Sequence, residues 1–192
     1  MSAALAVLYR PREAFAVLAA APRIETGLAA VLATALASMA IEVAANALGS
    51  GGAAGLVISL ILPLLFLAYW LLDAWLVDAG AGMLGRNGRR RAYLAVSGFA
   101  FLPLTGYAVL AFVEAAATRW NGPGPDIASG LAWLTLLAIA WFLVLTVLAI
   151  RAVYDVPALN AVALALLPYA ALSGALLLLG IVLGVLHAAG VV

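Results

Sequence analysis

The sequence predicts an all-α membrane protein: five transmembrane helices, preceded by a short helix lying on the membrane surface. Three observations carry that reading. Of 192 residues, 68% are hydrophobic and 9% charged, with a mean hydropathy of +1.24, whereas a soluble domain is about 45–50% apolar and about 25% charged. Most of the chain therefore has lipid as its solvent. The apolar residues come in long unbroken runs, not in the alternating segments of about 10 residues that build a transmembrane barrel. Finally, the arginines are distributed so that only an odd number of crossings keeps them together on one side.

Residues 1–22 are the lead-in. Pro11 suits the first turn of a helix, where its missing N–H costs nothing. Phe15 and Leu18 then share a face, away from Arg12 and Glu13, and Pro22 ends the segment. About ten residues cannot cross about 30 Å of hydrocarbon at 1.5 Å per residue, so the segment reads as interfacial. No cleavable signal peptide is expected, because the apolar piece 3–8 is too short and no positive charge precedes it.

Spans are expected at 26–48, 54–84, 93–115, 127–150 and 158–186, in a single domain, 1–192, whose bundle occupies 23–192. The second is too long, about 45 Å against about 30 Å of hydrocarbon, so it must tilt, kink at Pro63 or project from the membrane. Tyr69, Trp70 and Trp75 read as an interfacial aromatic belt, which places Asp73 and Asp78 near the headgroups. The connections are the Gly-Ser-Gly-Gly turn at 49–52, the basic loop at 85–91, the Gly/Pro-rich turn at 118–126 and the segment 151–157. Glycine and proline at these places break helices.

All nine basic residues are arginine. With the abundant alanine and glycine, this hints at a GC-rich bacterial genome and hence at the inner (cytoplasmic) membrane. In the five-span reading, Arg10, Arg12, Arg23, Arg86, Arg89, Arg90, Arg91 and Arg151 fall on one side and only Arg119 on the other. The positive-inside bias then puts the N-terminus in the cytoplasm and the C-terminus outside.

The residues that would carry catalysis are missing from the pattern. The chain has no cysteine and one histidine, which removes thiol chemistry and leaves His187 without the further ligands a metal needs. Ser97 has no neighbouring base to activate it, and no glycine loop sits between a strand and a helix to hold a phosphate. The expectation is a non-enzyme with no catalytic residue, cofactor or metal, and with no nucleic-acid partner.

Polar residues inside a membrane are costly unless paired or wet, so they are the usual pointers to function. Here they are Glu42, Asp73, Asp78, Glu114 and Arg151. One reading is a proton or ion path in a small transporter or channel subunit. The favoured reading is structural: Asp73 or Asp78 pairs with Arg151, while Glu42 and Glu114 have Arg119 near the opposite interface. The middle of each span favours it, because it carries only small polar groups such as Thr34, Ser38, Ser59, Ser97, Thr105 and Thr135. Asp73 and Asp78 lie about 140° apart on a helix, so they form no dyad by themselves. Gly180-Ile181-Val182-Leu183-Gly184 allows close helix approach and is expected to pack inside the bundle rather than form a dimer face. The loop arginines Arg86, Arg89, Arg90 and Arg91 either bind anionic headgroups or an acidic partner, or serve topology alone. Membrane lipids, other membrane proteins and a second copy of the chain are the partners this leaves.

Three stretches resemble the Yip-domain membrane proteins, named for binding Ypt/Rab GTPases. Arg10-Pro11-Arg12-Glu13-Ala14-Phe15 followed by Pro22 is similar to the lead-in of short bacterial members. A short glycine-containing loop, 85–88, follows the second span. Val96-Ser97-Gly98-Phe99-Ala100-Phe101-Leu102-Pro103-Leu104 resembles the family's Gly-Tyr/Phe-x-x-x-Pro segment in the third span. The resemblance implies five spans, a cytoplasmic N-terminus, no enzymatic activity, and a membrane-organising or scaffolding role. The long N-terminal region to which much partner binding is assigned in eukaryotic members has no counterpart before the first span.

Overall fold

The computed structural model describes residues 3–48, 52–86, 88–120 and 125–188. Among these, five helices are long and apolar enough to cross a membrane: Ile24–Ala47, Gly52–Met83, Arg90–Trp120, Gly130–Tyr154 and Ala158–Val185. In chain order the elements are α1 (Ala3–Tyr9), α2 (Pro11–Ala20), α3 (Ile24–Ala47), α4 (Gly52–Met83), α5 (Arg90–Ser97), a 3-10 segment (Gly98–Phe101), α6 (Leu102–Trp120), α7 (Pro125–Tyr154) and α8 (Ala158–Ala188). The expected all-α, five-span class is what the chain adopts.

The spans close into a ring: α3 beside α4, α4 beside α8, α8 beside α7, α7 beside α6, and α6 beside α3. The first half of the third span does not stand in that ring. α5 and the 3-10 segment fill its arginine-bearing end, packed against α3, α4 and α7, with α2 also against α5. Every residue from Ala95 to Phe101 is buried.

Pro103 explains the break between the two halves. It has no N–H to give the carbonyl four residues earlier, that of Phe99. The chain tightens into the 3-10 segment at that place, and the Leu102 N–H bonds the Phe99 carbonyl instead. Pro63, by contrast, is carried inside a continuous α4 of 32 residues. At 1.5 Å per residue α4 is about 48 Å long, well beyond the hydrocarbon thickness of about 30 Å. The excess at the arginine-bearing end is covered by protein: Trp70, Asp73, Ala74, Val77, Gly80 and Ala81 are all buried.

Two close backbone approaches hold this arrangement. A Cβ on Gly98 would lie 2.7 Å from the Gly27 carbonyl carbon and 2.8 Å from its Cα, and one on Gly27 would meet the Ala95 Cα at 3.0 Å. Helices in lipid gain little from hydrophobic burial against one another, so such close packing of small residues does much of the holding.

Three expectations need correction. The lead-in is two helices, and its apolar face turns into the protein: Val7 and Phe15 have no exposure and belong to the same core as Tyr93 and Tyr154. α2 lies against α5 and α7, which offer Phe15 a closer-packed environment than lipid does. Pro11 does open α2 at the first turn, as expected. The aromatic belt also dissolves. Trp75 is exposed, but Trp70 is 2% exposed, because its indole N–H donates to Ser97 Oγ at 3.0 Å. Tyr69 faces Phe101, with ring centroids 6.0 Å apart. Lastly, a Cβ added at Gly180 or Gly184 would meet nothing within 4 Å. The far half of α8, from Leu176 to Val185, is exposed along its length, so this motif is not an internal packing contact.

Candidate functional site

The acids of α4 lie at the arginine-bearing end and are held by tyrosines rather than by Arg151. Asp73, 3% exposed, accepts a hydrogen bond from Tyr93 Oη of α5 at 2.8 Å. Asp78, one turn and a half further along, accepts one from Tyr154 Oη at the end of α7 at 2.9 Å, and one from the Arg89 backbone N–H at 3.1 Å. The two tyrosine rings touch, with centroids 5.9 Å apart. Asp73, Tyr93, Tyr154 and Asp78 thus form one cluster across α4, α5 and α7. The divergence of the two acids around α4 lets each reach a different helix.

Sequence reasoning missed the tyrosines. It ranked partners by charge, and a phenol carries none, yet its O–H satisfies a buried carboxylate without burying a cation. Arg151 is three residues before Tyr154, about 60° around the helix from it. That turn is enough to aim it elsewhere: it is exposed and faces α2, sharing a cavity with Arg12 and Ala16. The signal that could have found the cluster is spacing. Tyr93 and Tyr154 sit at the same ends of their helices as the two acids do on α4.

The basic loop is pinned by this cluster. Beyond its N–H bond to Asp78, Arg89 donates from its guanidinium to the Val153 carbonyl at 2.7 Å, satisfying one of the carbonyls that the last turn of α7 leaves open. Arg86 lies 3.9 Å from Asp155 in an exposed ion pair. Asn87 lies outside the described residues. Arg90 and Arg91 open α5 and are exposed. Arg89 is therefore a structural clamp, and Arg86, Arg90 and Arg91 are the loop cations presented outward.

At the far end, Glu42 of α3 and Glu114 and Arg119 of α6 line one open cavity of 540 Å³, together with Thr118. The sequence placed these three near one another, and the fold does so. Next to them Asn46 bonds the Glu42 carbonyl at 3.0 Å and Ser59 Oγ of α4 at 2.8 Å. Between the two ends stands an aromatic layer. Phe101 contacts Phe66, Tyr69 and Phe142 with centroids 5.8, 6.0 and 5.4 Å away, and it is 3% exposed. Thr34 and Ser38 of α3 are buried, and their hydroxyl oxygens have no partner among the described residues. These rings stand between Asp73 and Asp78 at one end and Glu42 and Glu114 at the other. Among the described residues no group of three His, Cys, Asp or Glu side chains could hold a metal.

No curated protein and no solved structure matches the chain significantly. The Yip1 domain profile, however, matches residues 5–189. That reach takes in the lead-in helices docked on the bundle, the pinned basic loop, the Gly98–Pro103 segment at its centre and all five spans, so the chain belongs to the Yip1-domain family.

Proposed function

We propose that this polytopic membrane protein is a non-enzymatic organiser of the bacterial inner membrane, working by binding anionic lipids or other membrane proteins at its arginine-bearing end. Yip1-family proteins are generally non-enzymatic membrane trafficking proteins. The observation that carries the reading is the pinned loop. Arg89 is fixed by Asp78 and Val153, and this holds Arg86, Arg90 and Arg91 exposed at the membrane edge. A loop needed only for topology requires no such fixing. The arginine distribution supports an orientation with this end in the cytoplasm, where anionic headgroups attract each arginine by about 1 kcal/mol, screened by salt.

The test replaces Arg86, Arg90 and Arg91 together by glutamine, leaving the clamp Arg89 in place. Retention of anionic phospholipid by the purified protein should fall, and should become less sensitive to salt. Unchanged retention and salt response would leave the loop a topology signal and remove the proposal.

A further inference from the structure

A second basic site lies beside the tyrosine cluster, about 60° around α7 from Tyr154. Arg12 and Ala16 of α2, with Leu148, Arg151, Ala152, Asp155 and Val156, line a cavity of 260 Å³. Both arginines are exposed. Neither guanidinium has an ion-pair or hydrogen-bond partner among the described residues, where the ion pairs are Arg10–Glu13 and Arg86–Asp155. The one acid at the cavity, Asp155, has Arg86 3.9 Å from it. The lining thus holds two cations without an ion-pair partner among the described residues and one acid, which Arg86 shares.

Leu148 also lines a second, wholly apolar groove of 290 Å³ between α7 and α8, whose other walls include Val144, Val147, Val162 and Leu166. Val144, Leu148 and Arg151 are spaced four and three residues apart, so they form one stripe along α7, and Asp155 follows just past the end of that helix. Down that stripe the surface changes from charged to apolar without a break. From Arg151 to Leu143 the drop is about 12 Å at 1.5 Å per residue, which fits within one leaflet, half of about 30 Å of hydrocarbon.

We propose that this stripe is a binding site for one anionic phospholipid, with its phosphate between Arg12 and Arg151 and one acyl chain in the α7/α8 groove. Charge at the top and a groove beginning at the same leucine select a molecule that carries both chemistries. A soluble anion would use only the upper cavity. The bound lipid would tie the lead-in helix α2 to α7 and α8. This site shares no arginine with the basic loop, and the proposal stands without the loop reading.

The experiment counts phospholipids retained by the full-length protein in native mass spectrometry, after exchange into vesicles of phosphatidylcholine with and without phosphatidylglycerol. Three variants are compared: Arg12→Gln with Arg151→Gln, Arg90→Gln with Arg91→Gln, and Val162→Trp, which fills the groove from an exposed position and changes no charge. The first should weaken retention of one phosphatidylglycerol about 30-fold, or about 5-fold per arginine. The tryptophan variant should also weaken it, whereas the Arg90/Arg91 variant should leave that lipid bound. Loss in the Arg90/Arg91 variant alone would move the lipid to the loop and overturn this proposal while sparing the other. No loss in any variant would overturn this proposal. Binding of inorganic phosphate that depends on Arg12 and Arg151 but is indifferent to Val162→Trp, with no selective lipid retention, would make the cavity an anion pocket and refute the lipid. If the double arginine variant fails to fold, the tryptophan variant alone decides: unchanged phosphatidylglycerol retention sinks the proposal.

Discussion

Replacing Tyr93 by phenylalanine removes one oxygen from the centre of the arginine-bearing end and changes nothing else. That oxygen donates to Asp73 at 2.8 Å, from a tyrosine with no exposure to an aspartate that is 3% exposed. Water cannot replace it unless α4 and α5 move apart. Removing the partner of a buried polar group costs about 1–3 kcal/mol, because the group left behind carries its full desolvation penalty. The exposed Arg86–Asp155 pair, 3.9 Å apart, sets the contrast, since such pairs are worth about 0–1 kcal/mol. In a chain of this size, 1 kcal/mol corresponds to about 2–4 °C in Tm. Tyr93→Phe should therefore lower Tm by about 2–12 °C in detergent, and Arg86→Gln by at most about 4 °C. The decisive measurement is a double-mutant cycle with Asp73→Leu, followed by tryptophan fluorescence on heating. Each single change strands a buried polar group, whereas the double change leaves two apolar side chains in contact. The double variant should thus be more stable than the sum of the singles by about 1.5 kcal/mol or more. Strict additivity would show that the two groups are not coupled and would refute the reasoning.

Two further outcomes follow from the packing and from the arginine distribution. Gly98→Ala drives a methyl group into the Gly27 backbone, 2.7 Å away, which cannot yield as a side chain would. It should cost about 1–3 kcal/mol, while Gly180→Ala, with nothing within 4 Å, should be neutral or slightly stabilising in the same thermal assay; equal losses would contradict the close crossing. A reporter inserted at Asn87 should lie in the cytoplasm and one fused after Val192 outside it, both at positions beyond the described residues. Recovery of the two on the same side would exclude an odd number of crossings.

The spans and the bounds of α2 were legible because their signals are coarse. A run of apolar residues longer than the hydrocarbon is thick has few alternatives, and Pro11 and Pro22 bound α2 by removing N–H groups at its first turn and just past its end. Apart from the break of the lead-in into two helices, the expectations that failed concerned direction around a helix axis. Trp70 and Tyr69 looked like belt residues because their depth was right, yet Ser97 and Phe101 on α5 and the 3-10 segment draw them inward. Arg151 was at the right depth for Asp78, yet about 60° of rotation gave that place to Tyr154. The Gly180–Gly184 spacing was right for close packing, yet the far half of α8 faces away from its neighbours. Depth follows from counting residues, but rotation depends on which neighbour arrives, and that is set by tertiary packing.

The element that sets this packing is the interruption at Pro103. Without it, the third span would run as a uniform helix, and its first half would keep the same face toward α3 and α7 as its second half does. Where the N–H is missing, the Leu102 N–H bonds the Phe99 carbonyl and the chain makes a 3-10 turn, which advances three residues rather than 3.6 per revolution. α5 is thereby rotated relative to α6, so that it can pack against α3, α4 and α7 together while α6 keeps its place in the ring. Ser97 then reaches Trp70, Tyr93 reaches Asp73, and Arg89 at the start of α5 reaches both Asp78 and Val153. The outward arginines of the loop are thus positioned by a proline that lies twelve residues beyond Arg91 in the sequence. That dependence explains how a Gly-Phe-Ala-Phe-Leu-Pro string with no reactive group can matter to a surface it never touches.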